Sequence, residues 1–410
     1  MAELVLRAGY NDHLVIAELL MDPSALHPRL SRLIRRVVVD ATAIAKEPRF
    51  AQAAYASGTQ LLVDPQTFLL TTEQHPGDNW ARLPYARPEA VDLHELLDPR
   101  VRADLIEKVV EFEIDHGGTA IIPPYIHITD FDGIAPKVQR LLIKDTAAHL
   151  MDLGLDFPVF PVLSVDQTAI SLDPALWPSE MGRLLRAAHK HASGAVGLGL
   201  SLTTQPNKSN LHALSRIWRR AAHAGPFIAW HAGQVGLLAV TLGAEGYEVG
   251  MCSGERYNAR GQQRSRATAS DGGPRYQGAY VEALGRSLER RVVEQLSRIP
   301  GTHQGDLGCV DPACCPNGFT TMLGSGRRQH SVRSRLRDLE TLSSIGSRKW
   351  RLRHLVTQAQ DASASARRIR AAARNAGLRI GADPSEHDAL LEVAQNLMPT
   401  SRVSGSGGAA

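Results

Sequence analysis

Two groups of residues in this chain have types and spacings suited to chemistry. The first is GCVDPACCPNG (308–318), which sets Cys309, Cys314 and Cys315 on a turn rich in Pro and Gly, with His330 fifteen residues beyond Cys315. Three thiolates and an imidazole suit tetrahedral Zn²⁺, a borderline-soft ion that takes S and N ligands. The competing reading is a turn with unused thiols followed by a basic helix, and the adjacency of Cys314 and Cys315 favours it, since neighbouring side chains do not easily converge. His303 is a reserve fourth ligand, and Cys252 reads as core. The second group is the polar residues that end short apolar runs: Asp40, Asp64, Gln66, His127, Asp166, Ser201, His231, Gln234, Glu248 and Glu255. About half of such acids only cap the next helix. Asp64 stands out because Pro65 stops the strand ladder directly after it. His231 lies close to Gly233 and Gly236, which let backbone approach a ligand, although a structural histidine fits as well.

The elements that must position these groups follow from periodicity. Eight β-branched or apolar runs occur, at 4–8, 36–42, 59–65, 119–128, 157–165, 194–202, 225–233 and 246–254. Amphipathic stretches separate several of them, as in VRADLIEKVVEFEIDHGG and NLHALSRIWRRAAHAG. Such alternation predicts a parallel sheet covered by helices, and eight repeats favour a closed (β/α)8 TIM barrel, with chemistry at the C-terminal ends of its strands. The expected organisation is a barrel over 1–275, a zinc-binding insertion with closing helices over 276–345, a basic helical region over 346–400 and a disordered tail over 401–410. YVEALGRSLERRVVEQLSRI reads as helix, and long Arg-rich helices are expected from about 328 to 376.

Composition narrows the function classes. The chain has 410 residues, 43% hydrophobic and 21% charged, which fits a globular core. No run approaches the roughly 20 apolar residues of a membrane span, and no secretory leader pattern opens the chain. Four cysteines, three of them clustered, do not make a disulfide scaffold, so a cytoplasmic location is expected. No GxGxxG follows the first run and no phosphate-loop motif occurs, which argues against nucleotide binding. Net charge is +4, but residues 327–379 hold fourteen Lys or Arg against three Asp or Glu, a surplus of eleven, leaving about −7 on the rest. Arg333, Arg337, Arg348, Arg351, Arg367, Arg370 and Arg374 lie at helical spacings there and predict a phosphate-gripping face. The alternative is that these arginines simply dock the segment on the acidic body.

Several segments resemble the tRNA-guanine transglycosylase superfamily. FIAWHAGQVGLLAVTLGAEGYEVGMCSGERYNARG follows the layout of the family's seventh and eighth strands, through Asn258-Ala259-Arg260. AVGLGLSL is similar to its base-binding strand at Gly199, Leu200 and Ser201, and LLVDPQTF to its third-strand motif at Asp64 and Phe68. The cysteines and His330 fall where the family carries zinc. The resemblance spans roughly residues 30–340 and implies exchange of guanine for a free 7-deazaguanine base in nucleic acid, tRNA or DNA. Asp64 with Glu248 or Glu255 would supply two carboxylates, and Phe68, Gly199, Leu200, Ser201, His231 and Gln234 would form the slot for the flat base. Departures are clear: Met251 stands at the place of the family's nucleophilic Asp, Pro65 and Gln66 replace Ser and Gly, and the cysteine spacing is C-x4-C-C in place of C-x-C-x2-C. They leave two other readings open. One is a catalytically silent relative that binds nucleic acid or partners an active subunit; the other is a barrel enzyme for a small metabolite. A homodimer and a heterodimer are both compatible with these readings.

Overall fold

The computed structural model describes the chain except residues 1, 10–11, 23–25, 73–77, 168, 170–176, 203–205, 234, 253–254, 256, 260, 263–277, 300–306, 379–381 and 399–410, with the backbone alone at 177–178. Gln234, Arg260, His303, the polar stretch 263–274 and the tail 401–410 therefore lie outside the described residues.

All eight apolar runs form parallel strands: β1 (Glu3–Ala8), β2 (Arg36–Asp40), β3 (Gln60–Asp64), β4 (His127–Ile128), β5 (Val162–Asp166), β6 (Val196–Ser201), β7 (Phe227–Trp230) and β8 (Gly246–Gly250). They line up as β3-β2-β1-β8-β7-β6-β5-β4. The chain entering β4 joins the two edges, because Leu62 bridges Ala120 and Ile121 bridges Val159, both in parallel. Thr119 N donates to Leu61 O at 2.9 Å and Ile121 N to Pro158 O at 2.8 Å. The result is a TIM-barrel-like fold. The expected fourth strand is broken in its middle because Pro123 and Pro124 have no N–H to give a ladder. The Thr67 hydroxyl stands in, accepting from Tyr125 N at 2.6 Å and donating to Tyr125 O at 2.8 Å.

Amphipathic helices cover the strands, among them Pro99–Asp115, Ala135–Asp152, Trp177–His191 and Lys208–Ala224. Each follows its strand as periodicity requires, and Asp98 and Asn207 cap two of them by accepting from Arg100 N and Asn210 N.

Beyond the barrel the structure departs from expectation. The stretch read as one helix at 280–299 opens as a hairpin, β9 (Gly278–Val281) with β10 (Arg286–Glu289), before a short helix Arg290–Leu296. Gly285, at φ +59°, makes the tight left-handed turn that its helical neighbours could not. The Arg-rich helices are present as Arg327–Ser344 and Arg348–Asn375, followed by Ser385–Leu397. They do not form a separate appendage. Leu336, Leu339, Leu355 and Val393 join the barrel's core, whereas Ala366, Ile369 and Ala373 join a second core with the hairpin and the cysteines. Packing thus cuts across the boundary expected at 345/346. Among the described residues no helix is long and apolar enough to cross a membrane.

Candidate active site and metal centre

Arg7 organises the barrel interior. It projects from apolar β1, is 5% exposed, and its guanidinium meets three carboxylates. Nη1 lies 2.5 Å from Asp40 Oδ1, Nη2 lies 2.8 Å from Asp64 Oδ2, and Nε donates to Glu248 Oε1. Register explains the gathering: Asp40 pairs with Asp64 across β2 and β3, and Val5, two residues before Arg7, pairs with Glu248 across β1 and β8. Residues two apart on a strand share a face, so all four side chains point inward. The guanidinium also sits 5.1 Å from the Trp230 ring centroid. Sequence reading missed Arg7, although a charged residue inside an apolar strand was a visible signal.

Asp64 and Glu248 are held at both oxygens. Asp64 Oδ1 accepts from Gln66 N and from Tyr125 Oη, each at 2.9 Å. Glu248 Oε2 accepts from His231 N at 3.0 Å. Burial raises the Glu248 pKa, with Arg7 opposing. Gln66 and His231 adopt left-handed backbone, φ 51° and 52°, which is uncommon for residues other than Gly and marks the two turns that present these carboxylates.

Beside this cluster, His127 Nε2 lies 3.1 Å from Asp166 Oδ2 and its Nδ1 lies 2.8 Å from Ser164 Oγ, which in turn contacts Tyr257 Oη at 2.6 Å. Tyr257 is the hub of the expected base slot. It stacks on His231 at 4.9 Å and meets Phe68 edge-on at 6.3 Å. Gly199 gives it room, since a Cβ there would stand 3.1 Å from Tyr257 Cε1. Ser201 Oγ accepts from Ala259 N at 3.0 Å. Tyr257 itself was not expected in the site; nothing in its neighbourhood in sequence marked it.

Two expected site residues differ from the rest. Strand alternation turns Leu200 away from Gly199 and Ser201, and it lines a small cavity with Leu214 and Trp218 of the covering helix, which His231 and Tyr257 line too. Glu255 does not face Asp64: it pairs with Arg335 and accepts from Ser287 N at 3.0 Å and Ser287 Oγ at 2.5 Å, tying the hairpin and the 327–344 helix to the barrel. Met251 is buried.

The cysteine turn converges. Cys314 N and Cys315 N both donate to Asp311 O, at 3.1 and 2.8 Å, and this tight coil points two adjacent thiols the same way. Cys314 Sγ and Cys315 Sγ lie 3.4 and 3.5 Å from His330 Nδ1 and 3.9 Å from each other. With Cys309 the four donor atoms lie within 4.8 Å of one another, all buried, a set that can hold a metal ion. Bonds of about 2.3 Å to sulfur and 2.0 Å to nitrogen at a tetrahedral centre require edges of about 3.5–3.8 Å. His330 Nε2 is 3.0 Å from Tyr280 O, a bond that leaves the Nδ1 lone pair for the cluster. Hydrogen bonding from Cys315, with His330 adding to it, holds the Cys314 pKa down at about 4 against the effect of burial.

Many of the expected nucleic-acid arginines are engaged within the protein. Arg333 donates to Ala313 O at 3.0 Å, Arg337 pairs with Asp311 and Glu282, and Arg351 donates to Ile345 O. Arg367 pairs with Asp388 and Arg370 with Asp383, docking the final helix. Arg348 and Arg374 are exposed. Docking thus accounts for much of the positive surplus.

No family model and no curated protein matches the chain. Among solved structures, a dihydrodipicolinate synthase from Oceanobacillus iheyensis is similar at 12% identity over 96% of each chain, with a TM-score of 0.31. So loose an overlay adds nothing to the architecture read from strand pairing.

Proposed function

We propose that this barrel is a base-exchange enzyme acting on nucleic acid, swapping guanine for a 7-deazaguanine base, with its chemistry at the Arg7 cluster. The observation that carries the reading is the meeting of Asp40, Asp64 and Glu248 on one buried arginine, beside the aromatic group of Phe68, Tyr125 and Tyr257. Ionisable groups at the C-terminal ends of barrel strands are where such folds do their chemistry. Three carboxylates against one guanidinium leave surplus negative charge in a low-dielectric interior, which favours a developing oxocarbenium ion.

In this scheme the Glu248 carboxylate attacks the anomeric carbon as the bond to guanine breaks, and Asp64 delivers a proton to the departing base. The incoming base then returns its proton to Asp64 as its nitrogen displaces Glu248. The Cys309, Cys314, Cys315 and His330 set would hold Zn²⁺, whose role there is to fix the fold of the second core. Labelled guanine incubated with the protein and either tRNA or DNA tests the proposal. Exchange into one polymer that disappears in Asp64→Asn and Glu248→Gln, both folded by circular dichroism, supports it; exchange unaltered by Asp64→Asn removes that residue from the mechanism.

One observation favours a second reading. Glu248 is fully enclosed, with one oxygen on Arg7 and the other on His231 N. A carboxylate so occupied suits a barrel that binds nucleic acid without exchanging bases. Polymer binding with no label incorporated from either substrate would establish that alternative.

A further inference from the structure

On one flank of the barrel, cations gather without acidic partners. The helix Arg348–Asn375 opens with Arg348 and Lys349 in its first turn, has no acidic residue there, and is capped by Ser347 accepting from Trp350 N at 3.3 Å. A helix N-terminus already carries partial positive charge, so two cations at this position oppose the dipole. Arg219 of the Lys208–Ala224 helix faces them across a cleft floored by Leu352 and closed by Asn396 and Leu397. Among the described residues none of Arg219, Arg348 and Lys349 has an acidic partner. The contrast with Arg337, Arg367 and Arg370, each paired to a carboxylate, is direct. Partial burial and the nearby Arg219 both hold the Arg348 pKa down, the signature of cations pressed together. Trp350, 56% exposed, stands beside them with the Arg353 guanidinium 4.5 Å from its ring.

We infer that this cleft is a phosphate site that grips the backbone of a nucleic acid, with Trp350 as a platform for an adjacent base. Two arginines and a lysine around one concavity match a phosphodiester, which arginine contacts through paired N–H groups. A neighbouring exposed indole offers stacking to any base. Arg216, three residues before Arg219 on the same helix face, extends the positive strip. Arg219 lies near the end of the helix that leads back to the start of β7, so the cleft sits on the barrel's flank and away from its mouth. It would therefore hold the polymer at a distance from the reacting nucleotide. The inference rests on the nucleic-acid reading above and sharpens it: the grip is this cleft, and the positive charges of the 327–379 segment as a whole are not.

The test is fluorescence anisotropy of the full chain with end-labelled single-stranded DNA and with tRNA across a salt series. It compares wild type, the triple variant R219Q/R348Q/K349Q, W350A, and the control R49Q/K108Q, whose targets are cations already paired with Glu47 and Asp104. We expect the triple variant to bind at least tenfold more weakly at low salt with a salt slope smaller by about two to three, since each lost phosphate contact removes close to one from the slope. W350A should weaken binding about five- to tenfold with the slope unchanged, and the control should match wild type. A triple variant equal to wild type in affinity and slope overturns the cleft while leaving the nucleic-acid reading standing. Wild type that binds neither polymer overturns that reading and this inference together. Wild type that binds inorganic phosphate by isothermal titration calorimetry but neither polymer overturns the macromolecular occupant. All substituted residues but the half-buried Lys108 are exposed, and circular dichroism confirms that each variant folds before its affinity is compared.

Discussion

At the scale of single residues, the barrel interior is built around one buried arginine, Arg7. Asp40, Asp64 and Glu248 can share the barrel interior only because Arg7 lies among them. Removing it leaves three buried carboxylates without a cation, and breaking a buried pair in this way costs about 3–5 kcal/mol. We expect Arg7→Met to be destabilised by that order in urea at pH 7, with a smaller loss at pH 4, where carboxylates take up protons. Equal losses at both pH values would show that Arg7 contributes packing alone. The metal centre makes a second residue-scale prediction. Protein prepared without chelator should contain about one Zn²⁺ per chain, and Cys314→Ser should lose it and melt several degrees lower. Freely alkylated cysteines in native protein lacking metal would refute the site.

At the scale of elements, the helix Arg327–Ser344 does most to join the two cores. From one face Arg335 reaches Gly233 O at 3.0 Å and the Glu255 carboxylate; from another His330 contacts the Cys314 and Cys315 thiols and Arg333 donates to Ala313 O. Asp338 of this helix is buried, and desolvation raises its pKa to about 7 despite Arg335. A carboxyl whose folded pKa lies above its unfolded value of 3.8 favours the native state below that value and loses the advantage as pH rises toward 7. Asp338→Asn should therefore raise the melting temperature at pH 8, by several degrees, and leave it near wild type at pH 4. A stabilisation of the same size at both pH values would mean that the charge is not the cause. The paired arginines of the next helix are docking residues: Arg367 holds Asp388 and Arg370 holds Asp383. Charge reversal at these two would undock the Ser385–Leu397 helix and so could not report on nucleic acid.

At the scale of the whole molecule, the basic C-terminal helices belong to the globule. Leu355 and Val393 complete the barrel core, while Ala366, Ile369 and Ala373 complete the core around the cysteines. A chain ending at residue 345 would expose both apolar faces, and large exposed apolar patches drive association. We expect that truncation to elute as aggregate in size-exclusion chromatography, whereas full-length protein elutes as a discrete species. A soluble, monodisperse truncation would show that the barrel stands alone.

What the sequence determined by itself is what depends on local pattern. Eight apolar runs with amphipathic stretches between them were enough for the parallel strands, because period-two and period-3.6 patterns are read over a few residues. The cysteine set with His330 was legible for the same reason: rare ligand types stood close together. The tertiary structure decided everything that depends on which strands become neighbours. Register brought Asp40 beside Asp64 and Arg7 between them and Glu248, a meeting of residues up to 241 positions apart. It also turned Glu255 to Arg335 and Leu200 to the helix layer, though both had looked like mouth residues. The hairpin at 278–289 was misread because its apolar spacing also suits a helix, and only burial beneath the 327–344 helix selects the strand pair. Charge behaved likewise. Composition showed a surplus of eleven in one segment, but only folding could say which cations meet acids and which three line one cleft.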